Sequence, residues 1–294
     1  MTAVTGWSDD QGTLARAVSV DGHGLHTGRK VRLQIDPAPL GHGIVFRRMR
    51  GTTLLGELKA EPGLRLAQPL CTALQTPDGL RVRTTEHLLA ALLACEIDHA
   101  RVTLDAEEVP ILDGSALPWI QLLRDAGRQA FAVPKRFIKI LRPLRVGDGD
   151  NRYTSIAPHD SYQLQVRNDL KGFGQMCWEG DLTPTSFARD IAPSRSYGRL
   201  KWAIPAIAGG FLKGVPILRG ARPSCTATII GGSVHGGMRL PAEFVRHRVL
   251  DMVGDLALLG APLLGRIEAH RPSHEMNYQL AAALLKQPES WCWV

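Results

Sequence analysis

One stretch of eighteen residues, EFVRHRVLDMVGDLALLG from Glu243 to Gly260, constrains this chain more than any other. Phe244, Val245, Val249, Met252, Val253 and Leu256 recur at helical spacing and predict a helix with a packed apolar stripe. His247, Asp251 and Asp255 follow one another at intervals of four, so they stack on one face of that helix. Burying ionisable groups is costly unless each has a partner, and the fold must therefore supply partners for this stripe.

Around that helix, strand-like and helix-like patterns alternate. In ARAVSVDGHGLHTGRKVRLQIDPAP, Gly22, Gly24 and Gly28 punctuate two strand-like runs, the second alternating as Val31, Leu33 and Ile35, and the pattern predicts a strand pair. The glycine spacing misses the dinucleotide-binding fingerprint by one residue and lacks the acidic residue expected about 20 positions on, which excludes a nucleotide-wrapping loop. TTEHLLAALLACEID, from Thr84 to Asp98, predicts a largely buried helix with a threonine N-cap. A strand, a turn at Asp113-Gly114 and a helix over Leu117 to Ala126 follow, the helix stopping at Gly127.

A polar, proline-bearing passage then precedes a new strand series from Phe137, which predicts a domain boundary. Strands through Val166, a helix over Arg199 to Ala208, a strand over Thr226 to Ile230, the long helix and a last helix in NYQLAAALLKQ complete the pattern. Both halves run strands first and helices after. This predicts an α+β fold of two domains of related layout, residues 1–130 and 136–294.

The 294 residues contain no apolar run of about 18 or more, and MTAVTGWSDDQG has no apolar leader region, so neither stable membrane insertion nor a secretory signal is expected and a cytoplasmic location is. Cys71, Cys95, Cys177, Cys225 and Cys292 are scattered without a C-x-x-C pair, which argues against a thiolate zinc cluster. The net charge of +7 points to an anionic partner. The densest basic run, FRRMR at Phe46 to Arg50, lacks interleaved stacking aromatics and is read as a solvated face, so no nucleic-acid partner is expected.

Chemistry concentrates at a few positions. Glu86 and His87 stand together in an otherwise apolar helix, either as a satisfied polar patch at the helix start or as functional groups. His247 and Asp251 have a spacing that suits two ligands of one metal and equally suits an ion pair. Asp255, one turn on, can orient a further histidine. His274 lies in RPSHEMNYQL, flanked by Arg271 and Asn277, before the final helix, where it is placed for proton transfer or for capping. Together the chain offers two histidines and an aspartate as three zinc ligands, leaving a fourth position open for water, with a glutamate and a histidine spare for acid-base work. GGSVHGG fails the nucleophile-elbow pattern because His235 occupies its final glycine position.

With those residues in view, GHGLHTG, LCTAL, TTEHLLAALL, EVPILDGSALPWIQLL, FARDIAPSRSYG, EFVRHRVLDMVGDLALLG and SHEMN resemble, in order and spacing, the UDP-3-O-acyl-N-acetylglucosamine deacetylases, zinc enzymes of lipid A synthesis. The resemblance runs from about residue 15 to 286. It implies two domains, each with helices layered on a sheet, packed helix layer against helix layer with the site between them. It implies Zn2+ held by His87, His247 and Asp251, Glu86 as general base, His274 as general acid oriented by Asp255, and Ser196 stabilising the oxyanion. Arg248, Tyr197, Arg271 and Asn277 are expected to face the substrate, a sugar nucleotide with an acyl chain, and the chain is expected to act as a monomer.

The chain departs from the family pattern at several points. Arg248 stands where lysine is usual, Ser196 and Tyr197 where threonine and phenylalanine are, Val166 to Asp169 replace an F-x-H-P-like segment, and LKGVPILRGARPSCTA replaces an L-G-G-S-x-x-N-A segment. A divergent paralogue acting on another N-acyl sugar, or a non-catalytic zinc-bearing ligand-binding module, are the alternatives at this stage.

Overall fold

A computed structural model describes residues 4, 6–212 and 214–294. The first half opens with β1 (Asp10–Leu14) and the antiparallel pair β2 (Val18–His23) and β3 (Lys30–Pro37). In β3 the alternation of Val31, Leu33 and Ile35 puts those three side chains in the core and their neighbours in solvent. A second hairpin follows, β4 (Ile44–Arg50) with β5 (Thr53–Lys59), and then a small sheet of β6 (Arg65–Leu66), β7 (Ala73–Gln75) and β8 (Arg81–Arg83) that feeds α1 (Glu86–Ala94). β9 (Ala100–Leu104) inserts between β3 and β4 to give a five-stranded sheet in the order β2-β3-β9-β4-β5. After α2 (Leu117–Ala126), β10 (Arg128–Pro134) returns to pair with β1.

The second half begins β11 (Ile138–Ile140), β12 (Leu144–Asp148), β13 (Arg152–Ala157), β14 (Tyr162–Leu170) and β15 (Gly174–Asp181). A short turn, α3 (Pro184–Ser186), leads to β16 (Tyr197–Arg199), α4 (Leu200–Leu212), β17 (Ala227–Ile230) and β18 (Ser233–Val234), whose strands form a separate three-stranded sheet. The long helix α5 (Glu243–Leu256), β19 (Leu263–His270), α6 (His274–Lys286) and β20 (Trp291–Trp293) close the described chain. β19 organises the seven-stranded sheet, antiparallel to β13 and parallel to β11 and β14.

The architecture is α+β, and α1 packs directly against α5 so that helices from the two halves meet. Their approach is unusually close: a Cβ added at Gly254 of α5 would stand 1.9 Å from the Glu86 carbonyl oxygen of α1. One apolar core runs through both halves, including Leu33, Phe46 and Val102 on one side and Val166, Leu250 and Ile267 on the other. Because β10 pairs with β1 as far as Pro134, we propose that the boundary between the halves falls at Lys135–Phe137, a few residues later than the sequence pattern places it.

Other limits shift for local reasons. α4 continues past Ala208 through Gly209-Gly210, where Gly210 is packed so that a Cβ would meet the Val215 carbonyl at 2.7 Å. α6 starts at His274 rather than after it, because the Ser273 hydroxyl accepts from the Met276 N–H and caps the helix there. The threonine N-cap expected for α1 is Thr85, but its side chain makes no capping bond and bonds the Thr72 carbonyl instead.

Candidate metal centre

α1 and α5 cross where each carries its buried ionisable groups. Glu86 and His87 open α1, and His247, Asp251 and Asp255 line the facing stripe of α5, all at most 5% exposed. α5 is itself fixed by the buried Glu243 at its first turn, which receives Nε and Nη2 of Arg195 and the backbone N–H groups of Arg195 and Arg239. These contacts outweigh burial and hold the Glu243 carboxyl below the usual range.

Three donor atoms converge. His87 Nε2 lies 3.7 Å and His247 Nε2 3.4 Å from Asp251 Oδ1, and all three atoms fall within 4.8 Å of one another. Bonds of about 2.1 Å to a tetrahedral ion space its ligands by roughly 3.4 Å, so this N,N,O set fits a divalent metal with nitrogen and oxygen preference. The ring nitrogens are set up for that role: His247 Nδ1 donates to the Ser194 carbonyl at 3.2 Å, which leaves Nε2 as the free lone pair. Burial, with His87 and Arg248 nearby, lowers His247 to about 4, so the imidazole is neutral at physiological pH. Burial opposes ionisation of Asp251, yet His247, His274 and Arg248 hold its carboxyl well below the usual range.

A second group sits beside the donors. His274 Nδ1 contacts Asp255 Oδ2 at 2.9 Å, leaving Nε2 for the cavity that His274 lines. Asp255 is held on both oxygens, Oδ1 by the Thr72 hydroxyl and Oδ2 by Asn277 Nδ2 at 2.8 Å. Burial alone would lower His274, but Asp255 and Asp251 outweigh it and raise it to about 10. Glu86 takes the opposite course: burial pushes it up to about 8 against the pull of His274, and the Thr72 N–H fixes Oε2 at 3.0 Å.

Glu86, His87, His247, Asp251 and His274 form the polar end of a cavity of about 640 Å³ that also includes Ser196, Tyr197 and Arg248. Leu25, Leu70 and Leu200, with Trp202, Ala203 and Ala206, make its apolar wall. Arg248 bridges Tyr197 and Asp251, its Nε donating to the Tyr197 hydroxyl at 3.0 Å and its Nη1 to Asp251 Oδ2 at 3.2 Å. Asn168 Nδ2 donates to the same hydroxyl at 3.2 Å. Asn168, Tyr197 and Arg248 therefore share one hydrogen-bonded chain that ends on Asp251.

Two sequence expectations do not meet in this cavity. Arg271 is half in solvent, donates through Nε to Asp169 and lies outside the lining. Asn277 is buried beneath Asp255 and positions that carboxylate, where a substrate contact was expected. Conversely, Thr72 joins the Glu86 and His274 groups although it stands 183 positions from Asp255, and its sequence signal is its place in LCTAL. FRRMR is not a fully solvated face either, since Phe46 is in the core and the Arg48 guanidinium donates to the Arg81 carbonyl.

A family model described as UDP-3-O-acyl N-acetylglycosamine deacetylase matches residues 11–286. Proteins named UDP-3-O-acyl-N-acetylglucosamine deacetylase are similar along nearly their whole length: one from Vibrio parahaemolyticus is 34% identical, covering 96% of this chain and 92% of the relative. One from Neisseria gonorrhoeae is 35% identical, covering 97% and 92%.

Proposed function

Because the chain belongs to the UDP-3-O-acyl N-acetylglycosamine deacetylase family, we propose that its cavity removes the N-acetyl group from a UDP-linked, 3-O-acylated N-acetylglucosamine in lipid A synthesis. The observation that carries the reading is the convergence of a three-donor metal set with two buried, separately tuned acid-base groups in one cavity. His87, His247 and Asp251 would hold zinc, which when bound supplies a Lewis acid that polarises the acetyl carbonyl and acidifies water.

The chain's own groups then divide the proton work. Glu86, in its carboxylate form, takes a proton from the attacking water as the water oxygen bonds the carbonyl carbon. Ser196, on the cavity wall, donates to the carbonyl oxygen as negative charge develops there. His274, with Nδ1 held by Asp255, delivers a proton from Nε2 to the amide nitrogen as the carbon–nitrogen bond breaks, so acetate and the free amine leave. The apolar wall suits the acyl chain and the excess of positive charge suits the diphosphate.

The test is turnover of the UDP-linked acylated substrate by metal-analysed protein, wild type and Glu86→Ala. Removal of a general base is expected to lower kcat by about 10² to 10⁴ with zinc content unchanged. Full activity in the variant would overturn the assigned role.

A further inference from the structure

The candidate site uses only one face of α4. Leu200, Trp202, Ala203 and Ala206 line the cavity and Gly210 is buried, while Ile204 at 69%, Phe211 at 74% and Leu212 at 85% exposure lie outside that lining, and Trp202, at 63%, is both lining and exposed. A helix this apolar normally turns such side chains inward. The charge around it is equally one-sided. No aspartate or glutamate occurs between Asp190 and Glu243. Arg195 and Arg239 are committed to Glu243 and Asp113, but Arg199, Lys201, Arg219 and Arg222 have no acidic partner among the described residues. Two of these cations sit against the exposed rings, Lys201 Nζ 5.3 Å from the Trp202 ring and Arg219 Cζ 5.9 Å from the Phe211 ring.

We propose that the outer face of α4 docks on an anionic phospholipid surface. Large apolar side chains rimmed by lysine and arginine match both parts of such a surface, the acyl boundary and the headgroup charge. A second copy of this chain would meet the same cations with cations. No described helix is long and apolar enough to cross a membrane, and thirteen residues span only about 20 Å, so the helix lies along the surface. Since its inner face is a wall of the cavity, docking places the cavity's apolar end next to lipid. The proposal stands independently of the deacetylase chemistry.

The experiment is co-sedimentation of the whole protein with phosphatidylcholine vesicles, with and without phosphatidylglycerol. Binding to the anionic vesicles is expected to be about tenfold tighter or more, and to weaken as salt rises. The Ile204→Asp/Phe211→Asp pair should lose about tenfold or more, and Lys201→Gln/Arg219→Gln several-fold, each with an unchanged circular dichroism spectrum. As a measure that needs no folded double variant, brominated lipid should quench wild-type tryptophan fluorescence, and Trp202→Phe should remove most of that quenching. Absence of binding to anionic vesicles at low salt would overturn the proposal. So would binding unaffected by the aspartate pair, or a wild-type dimer that this pair dissolves, which would make a second copy the occupant.

Discussion

Asp255 decides which proton His274 can give. Burial acts against a charged imidazole, and His274 stands at the N-terminus of α6, where the helix dipole also disfavours a cation. Asp255, together with Asp251, reverses both, so His274 remains protonated until the pH nears about 10. In an acid role its activity is present below that pKa and lost as pH rises through it. Asp255→Asn keeps the shape and removes the charge; the alkaline limb of kcat/KM is expected to move to lower pH and its plateau to fall by about 10 to 100-fold. An unmoved limb would show that another group sets it. The meeting of His247 with Asp251 was legible in the sequence because one helix brings its own i and i+4 side chains together, although the spacing suits an ion pair as well as a metal. Asn277 and Thr72 were not, since their meeting at Asp255 depends on how α6 and the residue just before β7 pack on α5, and spacing carries none of that.

At the scale of elements, the site depends on α1 and α5 touching backbone to side-chain-free backbone. Gly254 permits this, and any Cβ there would collide with the Glu86 carbonyl. Gly254→Ala is expected to cost about 3 kcal/mol or more in urea unfolding, beyond the small gain that alanine gives an isolated helix, because neither backbone can step aside within a packed core. The same shift would separate His87 from His247 and Asp251, so metal affinity should fall with stability. If the variant matched wild type in both, the close crossing would not be needed. The alternation in β3 and the apolar stripe of α5 were readable because a buried face imposes a period. The extent of α4 was not readable: several of its apolar side chains are exposed, and Gly210 is packed against the Val215 carbonyl from later in the chain.

On the scale of the molecule, the proposed metal ligands come from both halves, one from α1 and two from α5. Metal bound there couples the stability of the two. Chelation is expected to lower the melting temperature, and restoring zinc at about 100 times its dissociation constant should return roughly 2.7 kcal/mol. Identical melting curves with and without chelator would argue against a resident ion at this crossing. The α+β class was legible from the order of strand-like and helix-like runs. The continuous core through both halves was not, because contacts between distant segments leave no local period.

Asn168, Tyr197, Arg248 and Asp251 form a single chain of hydrogen bonds, and its wiring decides what each position tolerates. Phenylalanine at 197 would leave the Arg248 Nε and the Asn168 amide without their shared acceptor, and lysine at 248 would give up the fork that reaches Tyr197 and Asp251 together. Each of the three links is shared, so a change at any one of these side chains unpairs its neighbour, and the four act as a unit.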